Sequence, residues 1–140
     1  MTAATLQDLS ARERDAYREL VVAYRALAAA LTGDMALEPA RLAADQARAD
    51  AAAERLRTTA AALAPHRLGG EPAPAAVHAL WCESATLAAE ASQLNATLLG
   101  HARGRQARIS AQLTALAQGR RALAGYRPAI DRRDGVSSVA

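Results

Sequence analysis

Fifty consecutive residues, Ala75 to Ala124, contain no proline, and their large apolar side chains can be followed in helical phase from one end to the other. The stripe includes Val77, Leu80, Trp81, Leu87, Leu94, Leu98, Ile109, Leu113, Leu116 and Leu123. At 1.5 Å per residue one helix of this length reaches ~75 Å, whereas a compact chain of this size has a radius of gyration near ~14 Å. An unbroken helix would therefore project and leave Ile109, Leu113, Leu116 and Leu123 uncovered by the rest of the chain. Gly100 and Gly104 are where it could break, each costing about 1 kcal/mol relative to alanine inside a helix. A turn there would close the chain into a four-helix bundle. Against it, the stripe crosses both glycines through Leu94, Leu98, Ala102, Arg105, Ile109, Leu113 and Leu116 at intervals of three and four. The segment Leu99–Arg105 also lacks the Pro, Asn and Asp that usually build a helix-to-helix loop. A continuous helix is the reading these features favour.

Two shorter helices are expected before it. The first runs from about Thr5 to Thr32, with Leu6, Leu9, Tyr17, Leu20, Tyr24, Leu27 and Leu31; from Tyr17 onward the 3, 4, 3, 4 spacing is a heptad seam. Ser10-Ala11-Arg12-Glu13 has the spelling of a capping box, which places a start of regular helix at Ser10, and Gly33-Asp34 is a C-terminal stop. The second begins at Pro39, continues through Leu42, Ala49, Leu56 and Leu63, one heptad apart, and is expected to end at Pro65. Pro65, Gly69, Gly70, Pro72 and Pro74 mark a loop.

Composition agrees with helices alone. Of 140 residues 40 are alanine and none is phenylalanine; 18 leucines supply most of the larger apolar groups. The bulky and β-branched residues that fill sheets are scarce, while alanine, leucine, arginine and glutamine are strong helix formers. The expected fold is all-α: a three-helix antiparallel coiled-coil-like bundle with a long C-terminal helix (about 5–32, 39–64 and 75–124). One domain spans 1–126, and a tail at 127–140 is expected to be disordered. The core is thin, since each buried alanine contributes little at roughly 25 cal/mol per Å².

Several function classes are disfavoured. The longest stretch free of Asp, Glu and Arg, Ala91 to Ala102, is too short to span a bilayer. Charged residues at Asp8, Arg12, Glu13, Arg14 and Asp15 leave no secretory signal, so a cytoplasmic location is expected. Cys82 is the sole cysteine and reads as a structural thiol. His66, His78 and His101 are scattered, and no Glu-x-x-His pair, phosphate-cradling glycine loop, Cys-x-x-Cys or Gly-x-Ser-x-Gly is present. No catalytic residue, metal ligand or cofactor is therefore assigned.

The net charge of +3 is unevenly placed: Gly100 to Ala140 holds eight arginines against two acids. Arg103, Arg105, Arg108, Arg120 and Arg121 could be a nucleic-acid face. Arg105 and Arg108, however, lie on or beside the apolar stripe, where arginine stems cover a seam and select acidic neighbours on a partner helix. A protein partner is favoured over nucleic acid and over a membrane surface.

Leu80-Trp81, Leu94-Asn95-Ala96-Thr97-Leu98-Leu99, Leu113-Thr114-Ala115-Leu116 and Leu123-Ala124-Gly125-Tyr126-Arg127-Pro128 together resemble the last helix of the FlgN-type flagellar export chaperones. Those sequences show a tryptophan early in that helix, an asparagine before a leucine pair, and a tyrosine shortly after the helix. The resemblance implies a cytoplasmic, non-enzymatic chaperone. Such a protein holds hook-filament junction proteins and delivers them to the type III export apparatus. It also implies that Ile109, Leu113, Leu116 and Leu123 bind the client and that Tyr126 is the export-gate docking candidate; Arg105, Arg108 and Gln112 are assigned beside them on the partner-binding face. The family often carries a glycine-bearing tyrosine motif here, whereas Arg127-Pro128 follows Tyr126 in this chain. Apart from the resemblance, Trp81 reads as a packing anchor and Asn95 as a polar residue fixing register in the seam. The alternatives are a structural coiled coil that pairs its spare half-helix with a second copy as a homodimer, and a basic helical nucleic-acid binder.

Overall fold

The computed structural model describes residues 1–33 and 36–137, with side chains as far as Gly125. The described chain is all-α, three helices with no strand among them: α1 (Ala3–Thr32), α2 (Pro39–Leu68) and α3 (Ala75–Ser137). It divides into two units, Met1–His101 and Ala102–Ala140.

Each helix boundary has a local cause. Thr2 caps α1, its Oγ1 accepting from the Thr5 N–H at 3.2 Å, and Gly33 closes the far end by donating to the Ala29 carbonyl. The start expected at Ser10 is therefore corrected: the helix is already running there, and Ser10 and Glu13 are buried inside the bundle. Pro39 occupies the first turn of α2, where its missing N–H costs nothing. Pro65 does not end α2, which continues to Leu68. Arg67 in that last turn is held by Glu13 of α1, so a tertiary tie keeps the turn closed despite the lost donor. Gly70, at φ +71, then takes the left-handed conformation that turns the chain out of the helix. α3 is helical through Gly100 and Gly104 and on to Ser137, past the end near Ala124 that the sequence suggests.

Within Met1–His101 the helices alternate in direction. Glu13 meets Arg67 and Glu19 meets Arg55, so α2 descends as α1 rises. Ser10 meets Trp81, Arg18 meets Glu83 and Arg25 meets Glu90, so α1 and α3 run the same way. The core they enclose is built from small residues: Leu20, Val21 and Ala23 of α1, Ala49 and Ala52 of α2, and Ala91 of α3, with Tyr24, Leu56, Leu87 and Leu94 packed around them. Alanines at 0–5% exposure allow close helix approach and leave little apolar area per residue. Leu63 and Val77 are fully buried beyond this cluster.

Polar residues share the interior. Glu13, with its side chain 3% exposed, accepts two hydrogen bonds from the Arg67 guanidinium at 3.0 and 2.5 Å. That guanidinium lies 5.1 Å from the centre of the Trp81 ring, and the indole N–H donates to Ser10 Oγ at 2.9 Å. One group thus ties all three helices, and Trp81 is a packing anchor with a polar handle.

Candidate partner-binding face

The candidate face lies in the unit Ala102–Ala140, on α3. Alanine, leucine, glutamine and arginine dominate residues 102–125, so this stretch favours helix by local propensity. Ile109, Leu113, Leu116 and Leu123 fall at helical spacing along one side and are 56%, 61%, 62% and 68% exposed. Such a contiguous apolar stripe is characteristic of a surface that another molecule covers.

Gln112, Ala115, Leu116, Gly119, Arg120 and Leu123 line a shallow trough of ≈ 740 Å³ on this side. Gly119 is one of the lining residues, and a Cβ added there would meet open space, with nothing within 4 Å. Of the residues assigned from sequence, Gln112, Leu116 and Leu123 border the trough. Ile109 and Leu113 belong to the same stripe but do not line it. Arg108 is exposed and Arg105 half-buried. The side chain of Tyr126 lies outside the described residues. Ala115 and Gly119 were missed, and Arg120 was named only as part of a possible nucleic-acid face, not of this one. Arg120 stands seven residues after Leu113, a heptad signal that an apolar count passes over because the residue is charged.

Elsewhere the titratable groups are occupied or dispersed. Both Glu13 oxygens are taken by Arg67. A cleft of ≈ 280 Å³ beside them is lined by Glu13, Tyr17, Arg67, Trp81, Ser84, Ala85 and Ala88, and the buried Ser84 Oγ has no hydrogen-bond partner among the described residues. Cys82 is exposed, with Sγ 3.7 Å from His78 Nδ1, so it is not a core thiol; one turn of helix brings the two residues to the same exposed side. Asn95 is exposed too and does not sit in a seam. Among the described residues no group of three or more His, Cys, Asp or Glu could hold a metal ion, and no helix is long and apolar enough to cross a membrane.

The chain matches no protein-family model, and neither a curated protein nor a solved structure matches it significantly.

Proposed function

We propose that this protein is a cytoplasmic, non-enzymatic export chaperone of the FlgN type. Its apolar stripe on α3 receives an amphipathic helix of a hook-filament junction protein and hides that helix until delivery to the flagellar type III export apparatus. The observation that carries this reading is the exposure of Ile109, Leu113, Leu116 and Leu123 along one side of an uninterrupted helix. Supporting it are the residues around Trp81, Asn95, Leu113 and Tyr126 that resemble the family's last helix. The mechanism is helix-in-groove docking, in which two apolar faces exclude water from each other.

Leu113 and Leu116 each have about three fifths of their surface to bury on docking. Full burial of a leucine is worth ~1.5–3 kcal/mol, so each contributes about 1–2 kcal/mol. Leu113→Asp with Leu116→Asp forfeits both and places two carboxylates where they must lose water. Co-expressed with a hook-filament junction protein from the same source, the wild-type chain should co-purify as a complex. The double variant should lose that complex while its thermal unfolding is unchanged. A client that never co-purifies, or one that remains bound to the double variant, overturns the proposal.

A further inference from the structure

The stripe carries more than apolar side chains, and its charge narrows what can cover it. From Ala91 to Ile130 there is no aspartate or glutamate, although the chain has 14 of them. In the unit Met1–His101, seven of the nine arginines, Arg14, Arg18, Arg25, Arg48, Arg55, Arg57 and Arg67, each have a carboxylate within 4.0 Å among the described residues, and Arg12 and Arg41 do not. Among the described residues none of Arg103, Arg105, Arg108, Arg120 and Arg121 has one, and all but the half-buried Arg105 are exposed.

Two of these five stand within the stripe. Arg105 precedes Leu123 by about five full turns at 3.6 residues each and shares its angle. Arg120 follows Leu116 by one turn and Leu113 by two, and it borders the trough. Between them lie Ile109, Leu113 and Leu116. The two guanidinium-bearing positions are about 22 Å apart along the axis at 1.5 Å per residue.

We propose that the occupant is a helix of another protein whose apolar face is bounded at each end by a carboxylate, the two about four turns apart, one meeting Arg105 and the other Arg120. This rests on the docking face of the chaperone reading and adds the chemistry of its client. A charged residue inside a seam sets register and partner choice at some cost in affinity, and arginine binds carboxylates with two parallel hydrogen bonds. The same charges reject a second copy of the chain. Antiparallel pairing that sets Ile109 against Leu116 also sets Arg105 against Arg120, and parallel pairing sets each arginine against itself. Neither copy has an acid in the segment to relieve the repulsion. Nucleic acid would satisfy the arginines and leave the leucines in water. A bilayer would take the leucines but would also draw in Arg105 and Arg120, whereas interfacial helices keep their basic residues on the polar side.

The test uses the full chain and three labelled helical peptides with the same leucine heptads. One has Glu at the two key positions, one has Gln there, and one has its Glu pair moved one heptad inward. Fluorescence anisotropy should show the first peptide binding about tenfold tighter than the other two, as expected for two partly solvated charge pairs. The advantage should shrink with added salt and vanish in Arg105→Gln with Arg120→Gln. An Arg105→Glu, Arg120→Glu variant should instead prefer a peptide with Lys at both positions. Equal binding of the Glu and Gln peptides overturns the charge key, while client capture decides the chaperone reading separately. Failure of every peptide also overturns it. So does a stripe-dependent dimer in sedimentation, or tighter binding to duplex DNA or phosphatidylglycerol vesicles than to any peptide.

Discussion

Removing Arg67 should cost far more than removing its partner's charge, because the two ends of the Glu13–Arg67 pair are buried to very different extents. The Glu13 side chain is 3% exposed and that of Arg67 is 36% exposed. In Arg67→Met the carboxylate stays inside the bundle with neither counter-ion nor donor, and stripping one partner from a buried pair costs ~3–5 kcal/mol. In Glu13→Gln the guanidinium can turn to water, and the amide oxygen still accepts one of its hydrogen bonds, so the loss is ~1 kcal/mol. The double variant Glu13→Leu with Arg67→Met replaces both groups by apolar ones and should recover most of the loss. Urea unfolding followed by Trp81 fluorescence reads this end of the bundle, since the indole bonds Ser10 and lies under Arg67. With a urea dependence of ~2 kcal/mol per molar, Arg67→Met should lower the midpoint by about 1.5–2.5 M and Glu13→Gln by about 0.5 M. Equal shifts for the two single variants, or a double variant no more stable than Arg67→Met, would refute the reasoning.

Ala52→Leu should destabilise by ~1–3 kcal/mol, because Ala52 is 0% exposed in a core packed at alanine spacing; the same unfolding assay checks it. Gly104→Ala should raise helicity at 222 nm and add up to ~1 kcal/mol of local helix stability, since a Cβ there meets nothing within 4 Å. A loss of helicity would contradict an uninterrupted α3. Tyr126→Ala should leave client capture intact and abolish export in a secretion assay; unchanged export removes the gate-docking role.

What the sequence discloses and what it conceals follow from the range of the interactions. The heptad Leu42, Ala49, Leu56 and Leu63 lands inward, with Ala49 and Leu63 buried and Leu42 and Leu56 half-buried, because period alone decides which side of a helix faces its neighbours. Leu20 and Leu27 are buried in α1 for the same reason. Ser10 and Glu13 are the opposite case. Their four-residue spelling is a local capping signal, yet their partners Trp81 and Arg67 are 71 and 54 residues away. No local pattern contains that contact. Pro65 likewise reads as a helix stop until the tie from Arg67 to Glu13 is known. Arg120 was legible as a heptad position, but its charge placed it with a possible nucleic-acid face instead of the apolar stripe.

The charge pattern of the stripe also bears on how firmly its helix is held when nothing covers it. Residues 102–125 have strong local propensity, but Gly104, Gly119 and Gly125 each cost ~1 kcal/mol relative to alanine. Arg105 and Arg108 are neighbours one turn apart with like charge, a further penalty of a few tenths of a kcal/mol. The usual remedy, a glutamate four residues before an arginine, occurs nowhere between Glu90 and Asp131. A docked helix bearing carboxylates would supply the counter-charges and bury the leucines at once, so binding and helix stability rise together. Filling the gap internally, with Glu at 101 and 104 to pair with Arg105 and Arg108, would steady the free helix and take from a client the charges it is proposed to read. An acid-free stripe is the arrangement in which local stability is given up to keep the arginines available.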